Sequence, residues 1–276
     1  MEDFKVDMLA GGFALAEGPL YDSGRDTLYA VDINAPGFYQ YDFRTGEGRR
    51  FPTPSHCTAV VQTDDEKFLL VALAQELVLF DKDGLTFTPY RKVELGEGMR
   101  FNDGAVGPDG ALYIGTMMID GPRSQVGRLI RIDRGGERVM EGFSFTVPNG
   151  IAFTKDYFYH IDSPADTLRR FHIEGDRLVE EKSFRFPAGS SPDGMALAEG
   201  GLIYVALWNK CAVAILDFDR AEVVGHIYTG KKCTSAVGIF PDGRLAITAG
   251  RADDGDGLII LTRSDDRPAG RFLYRL

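Results

Sequence analysis

A six-bladed β-propeller of four-stranded blades is the all-β fold that this sequence predicts, and three observations predict it. A short apolar segment of one shape recurs six times, the copies are almost evenly spaced, and each is followed by a second strand-like run. The copies begin at Leu28, Leu69, Leu112, Phe158, Ile203 and Leu245, with spacings between 41 and 46 residues, so six units fill the 276 residues as one domain, 1–276.

Along the chain, Leu28-Tyr29-Ala30-Val31 precedes an aromatic run over 38–43, and Leu69-Leu70-Val71-Ala72 precedes one over 76–80. Leu112-Tyr113-Ile114-Gly115 leads to 129–132, Phe158-Tyr159-His160-Ile161 to 168–173, Ile203-Tyr204-Val205-Ala206 to 212–218, and Leu245-Ala246-Ile247-Thr248 to 258–261. All are rich in β-branched and aromatic residues, which suit a pleated and buried surface. Pro108-Asp109-Gly110 and Pro241-Asp242-Gly243 stand in register ahead of their copies and suit tight reversals between strands. No helical period of comparable length competes. A ring must close, and because 4–9 and 272–276 both read as strands, one blade is expected to draw on both termini.

Composition narrows the function classes. An apolar fraction of 44% with 26% charged residues describes a packed globular chain. Thirty-one Lys and Arg against 41 Asp and Glu give a net charge of −10, a field that opposes nucleic acid and anionic lipid. The longest apolar runs are far short of the roughly 20 residues that span a bilayer. The acidic start Met1-Glu2-Asp3-Phe4-Lys5 does not resemble a secretory signal, and a cytoplasmic location is expected. Cys57, Cys211 and Cys233 are odd in number and lack CxxC spacing, so no disulfide framework is implied.

About ten residues ahead of each repeated segment lies a position expected at the start of the innermost strand, facing the central channel. In four blades it holds a strong oxygen donor, namely Glu17, Asn102, Asn149 and Asp193; the other two hold Ala59 and Ser235. Any one Asn-Gly or Asp-Gly pair reads as a turn. Four in register read as a site, because two carboxylates and two amides converging on one axis are satisfied together by a divalent cation. Oxygen-only ligands point to a hard ion, calcium first, with magnesium, manganese or zinc as alternatives. His56, His160, His172 and His226 lack zinc-site spacing. Only His56, three residues before Ala59, stands near the proposed mouth. Met117, Met118 and Trp208 read as blade packing and are left outside the site.

Ala16-Glu17-Gly18-Pro19, Val31-Asp32-Ile33, Arg100-Phe101-Asn102-Asp103-Gly104, Gly115-Thr116-Met117, Pro148-Asn149-Gly150-Ile151-Ala152, Pro192-Asp193-Gly194-Met195-Ala196 and Val205-Ala206-Leu207-Trp208, in this order and spacing, carry a resemblance that spans nearly the whole chain. With them the chain resembles the gluconolactonase, senescence marker protein (regucalcin) and luciferin-regenerating enzyme family. It departs at Tyr113-Ile114, where Trp-Ala is frequent, and at Met117-Met118. The resemblance implies one catalytic divalent ion on Glu17, Asn149 and Asp193, with Arg100 and Asn102 contacting substrate, and a metal-dependent hydrolase that opens aldono-1,4- or 1,5-lactones.

In such a site a cation would polarise the lactone carbonyl, and Asp193 is the candidate general base as well as a ligand. Arg100 offers a planar fork to ring oxygens and hydroxyls, unless it is spent on an ion pair with Asp103 or Glu97. Asp103 joins the substrate-binding set, with holding a ligand in place as its other reading. Rival functions are a phosphotriesterase or aryl esterase, a calcium-binding protein without catalysis, and a protein-interaction scaffold. Nothing in the pattern marks a surface for self-association.

Overall fold

The computed structural model describes residues 4–120 and 124–276, so Met1, Glu2 and Asp3 of the acidic start lie outside the described residues. Six four-stranded antiparallel sheets form six blades, and the fold prediction holds. The innermost strands are Ala16–Asp22, Ala59–Gln62, Met99–Val106, Pro148–Phe153, Pro192–Leu197 and Thr234–Ile239, which define blades 1 to 6 in chain order. Each touches its neighbours around a ring, including the last against the first. Apart from strands, the described residues hold one three-residue 3₁₀ turn, Ser163–Ala165.

The repeated apolar segments are the second strands, and the runs that follow them are the third. Thr27–Asp32 is buried at every position, because its two faces meet two different blades. Leu28 and Ala30 pack with Phe240 and Ala246 of blade 6. Tyr29 and Val31 pack with Val60, Leu69 and Phe80 of blade 2. Period-two alternation thus serves two interfaces at once, which is why these strands read as continuous apolar runs. Outer strands such as Glu47–Pro52 face solvent and read as polar.

Ring closure departs from expectation. Asp7–Phe13 pairs antiparallel with Gly257–Arg263 as the outer strand of blade 6, so the amino-terminal strand does close the ring. The segment 272–276 enters no blade, because the four strand positions of blade 6 are already filled. Residues beyond Arg263 instead cross the channel end opposite Glu17. The Ala269 N–H donates to Leu197 O at 2.9 Å, Tyr274 N–H to Gln62 O at 3.0 Å and Arg275 N–H to Gly110 O at 3.1 Å. Tyr274 is fully buried in the core shared by blades 2 and 3. Its strand-like pattern reflects burial as a plug.

All three cysteines are free. Among the described residues no helix is long and apolar enough to cross a membrane.

Candidate functional site at the channel mouth

Five of the six inner strands are bulged near their starts, and the site residues sit at the bulges. Register shifts fall between Glu17 and Leu20, Phe101 and Gly104, Asn149 and Ala152, Pro192 and Met195, and Thr234 and Ala236. Blade 2, which carries Ala59, pairs without a shift. A bulge adds an unpaired residue and re-aims side chains, here toward the axis. The Asn-Gly and Asp-Gly pairs that resemble turns in sequence are these bulges. Gly150 has φ +47°, and a Cβ there would stand 2.7 Å from Asp193 O. A Cβ at Gly194 would stand 2.5 Å from the Cβ of Ala236. Glycine at these two points lets the inner strands of blades 4, 5 and 6 approach closely.

Glu17, Arg100, Asn102, Asp103, Asn149 and Asp193 line one cavity of about 320 Å³ at the mouth. The structure therefore brings together every residue placed in the site from the sequence. Ala59 and His56 do not line it; blade 2 contributes Thr58 instead. Ser235 is fully buried and donates its hydroxyl to Ala16 O at 2.6 Å, beneath Glu17. A second cavity of about 200 Å³ continues down the channel to Arg271 and Phe272 of the plug. Glu17 and Asp103 line both cavities and stand at their boundary.

Sequence reasoning missed part of the wall. Trp208 and Met117, set aside as packing, line the mouth, while Met118 is not part of its lining. Leu15, Val147 and Ser191 line it too. Each lies two residues ahead of Glu17, Asn149 or Asp193, so a constant offset from the repeated column would have found them.

The polar groups form a chain of hydrogen bonds. Arg100 Nη1 donates to Asn102 Oδ1 at 2.7 Å and to Phe101 O at 2.8 Å. Asn102 Nδ2 donates to Pro148 O at 2.8 Å and to Asn149 Oδ1 at 2.6 Å. Asn149 Nδ2 donates to Ser163 Oγ at 2.9 Å, which fixes the amide with its oxygen toward Asn102. Asp103 accepts from Gly104 N–H at 2.7 Å and from Ile151 N–H at 3.1 Å, tying blade 3 to blade 4. This favours the reading of Asp103 as a residue that holds its neighbours in place.

Charge at the boundary is unfavourable without a cation. Burial, and then the neighbouring Asp103, push the Glu17 carboxyl up to about 8, against the pull of the Gly18 N–H and Arg100. Burial pushes Asp103 up to about 6 despite its backbone hydrogen bonds. Among the described residues no cluster of three or more His, Cys, Asp or Glu side chains is suited to hold a metal. A cation at the mouth would therefore take the Asn149 amide oxygen beside the carboxylates of Glu17 and Asp193. That oxygen has two lone pairs, so it can ligate while it accepts from Asn102. Oxygen donors, a cavity and buried carboxyls whose ionised form lacks compensating positive charge together fit a hard divalent ion.

A family model describing the SMP-30/Gluconolactonase/LRE-like region matches residues 15–251. A pentonolactonase of Haloferax volcanii is 29% identical over 249 residues, which cover 88% of this chain and 84% of that one. A 6-deoxy-6-sulfogluconolactonase of Pseudomonas putida is 29% identical over 214 residues, or 74% and 72% of the two chains. Among solved structures, a calcium-binding protein, regucalcin, from Agrobacterium tumefaciens superposes with a TM-score of 0.86 at 25% identity, covering 99% of this chain and 98% of that one.

Proposed function

The chain belongs to the SMP-30/gluconolactonase/LRE-like family and is a hydrolase, and on that footing we propose that it is a divalent-metal-dependent lactonase that opens an aldono-1,4- or 1,5-lactone to the aldonic acid. The observation that carries this reading is the sharing of one mouth cavity by Glu17, Asn149 and Asp193 with Arg100 and Asn102. The names of the relatives as lactonases and of a structural neighbour as calcium-binding support it.

Glu17, Asn149 and Asp193 would hold the ion, calcium first. When bound, it supplies fixed positive charge against the carbonyl oxygen as that oxygen becomes anionic. Asp193 accepts a proton from the attacking water while the water oxygen bonds to the lactone carbon. The bond from that carbon to the ring oxygen then breaks, and the ring oxygen leaves as a hydroxyl once it is protonated. Arg100 and Asn102 orient the hydroxyls of the sugar, and the Trp208 and Met117 wall meets its apolar face.

A panel of aldonolactones assayed with a pH indicator, before and after chelation and with calcium, magnesium, manganese or zinc restored, tests the proposal. Hydrolysis lost on chelation and regained with one of these ions is expected, along with loss of turnover in folded Asp193→Ala and Glu17→Gln variants. Undiminished activity after exhaustive chelation, or in either variant, overturns it.

A further inference from the structure

Three buried aspartates outside the proposed ligand set accept backbone N–H groups of the segments that lead into it. Asp32, at the end of the second strand of blade 1, is 2% exposed. Its carboxylate accepts the N–H groups of Ala14 at 3.0 Å and Leu15 at 2.9 Å, and also that of Ala35 at 3.1 Å. Ala14 and Leu15 lead directly into Glu17. Asp162 holds the same register position in blade 4, pairing with Pro148 as Asp32 pairs with Ala16. It is 3% exposed and accepts the N–H groups of Thr146 at 3.2 Å and Val147 at 2.9 Å, the residues leading into Asn149.

Blade 5 has Leu207 at that register position, opposite Pro192. Its approach segment is held from outside the blade. Asp166, in the turn that follows Ser163–Ala165 of blade 4, accepts the N–H groups of Gly189 and Ser191, both at 2.8 Å. Ser191 lies two residues ahead of Asp193, as Leu15 and Val147 lie ahead of Glu17 and Asn149. One backbone bond also recurs in these blades: Ile33 N–H to Leu15 O, Ser163 N–H to Val147 O, and Trp208 N–H to Ser191 O. In blade 3 the register position holds Thr116, and in blade 6 it holds Ala249.

We propose that Asp32, Asp162 and Asp166 are positioning residues, each fixing the backbone two residues ahead of one of the three side chains Glu17, Asn149 and Asp193. The inference rests on the proposed cation site and deepens it. A carboxylate that accepts two converging N–H groups sets the path and tilt of the segment between them. The three segments come from separate blades, so the spacing of their oxygens has to be set by contacts of this kind. An asparagine in the same place keeps one acceptor and turns an amide N–H toward a backbone N–H, so the clamp opens while the volume stays the same. Outer partners of metal ligands typically change affinity by about 10- to 100-fold when lost.

Calcium binding to the full chain, measured by calorimetry alongside thermal melting, tests this. Asp32→Asn, Asp162→Asn and Asp166→Asn are each expected to remain folded and to bind calcium at least about tenfold more weakly than the parent. The control is Asp22→Asn. Asp22 is a buried aspartate at the far end of the blade 1 inner strand, paired with Lys82 at 2.7 Å and accepting from the Gly24 N–H. That variant is expected to melt earlier with calcium affinity unchanged. Parent-like affinity in the three clamp variants, or an affinity loss in Asp22→Asn that matches theirs at equal loss of stability, overturns the positioning role. A parent protein that binds no divalent cation overturns the site itself. Should a clamp variant fail to fold, the corresponding Asp→Glu variant, whose extra methylene displaces the two acceptors and with them the clamped segment, is measured in its place; calcium binding about tenfold weaker is expected and parent-like affinity overturns the role.

Discussion

The Asn102 amide nitrogen stands 2.6 Å from the Asn149 amide oxygen, so blades 3 and 4 are joined inside the site by two side chains 47 residues apart. Asn102 also serves Pro148 O and receives Arg100, so both of its amide hydrogens are used. Its remaining capacity toward a substrate is as an acceptor. Asn102→Leu keeps the volume but leaves Pro148 O and one Arg100 N–H without this partner. Each such buried group costs about 1–3 kcal/mol. The variant is expected to melt several degrees lower and to lose about tenfold or more in kcat/KM. A variant with parent stability and activity would show that this bridge has no bearing on the site.

His160 illustrates a cost that the fold carries away from the site. It is fully buried in blade 4 against Phe145, with ring centroids 4.1 Å apart, and neither ring nitrogen has a hydrogen-bond partner among the described residues. Burial pushes its pKa down to about 3 from 6.5. The folded protein therefore keeps His160 neutral while the unfolded chain takes up a proton below pH 6.5. Its contribution to stability is intact above that pH and declines as the pH falls toward 3, by up to about 1.4 kcal/mol per unit. His160→Leu is expected to raise the melting temperature at pH 7 by about 2 °C, and by more at pH 5. Denaturation curves at the two pH values decide it, since an equal shift at both would refute the titration argument.

The blades were legible because burial between two neighbours writes the same apolar segment six times. The candidate site was legible because its residues share a column of that repeat. Less visible was the bulge itself: the column places Asn149 and Asp193 facing the channel, and only the register shift shows the extra backbone residue through which those strands present them. Asp32 and Asp162 stand in one column, a signal present in the alignment of the repeats. Asp166 has no such signal, because it reaches across from one blade to the next. The segment 272–276 misled because Tyr274 is buried as a plug would be, and an apolar pattern reports burial without saying against what.

Trp208, the one tryptophan of the chain, lines the mouth. Its ring has a seat at Gly250, where a Cβ would stand 3.3 Å from the ring edge and 2.9 Å from Leu15. An indole face against the apolar face of a sugar ring contributes to substrate and transition state alike, so its loss raises KM more than it lowers kcat. Trp208→Ala is expected to raise KM for an aldonolactone about tenfold with kcat changed less than about threefold. In the parent, tryptophan emission should shift on titration with a non-hydrolysable lactam analogue. Emission indifferent to a saturating analogue would remove Trp208 from the substrate wall.

Cation binding should also depend on pH, and the Glu17 carboxyl sets the direction. Burial and Asp103 raise it from 4.5 to about 8. In the cation-free protein the folded state then retains a proton that the unfolded chain releases above pH 4.5. This contribution to stability is full below pH 4.5 and is lost as the pH climbs through 8. A cation ligated by Glu17 has to displace that proton, so its affinity rises as the pH rises and its binding releases a proton. Calcium affinity is expected to tighten about tenfold between pH 6 and pH 7, with close to one proton released. Glu17→Gln should abolish both the release and the pH dependence that accompanies it. Calorimetry at pH 6 and pH 7, each in two buffers of different ionisation enthalpy, measures both quantities. A pH-independent affinity with no proton released would place the ion away from Glu17.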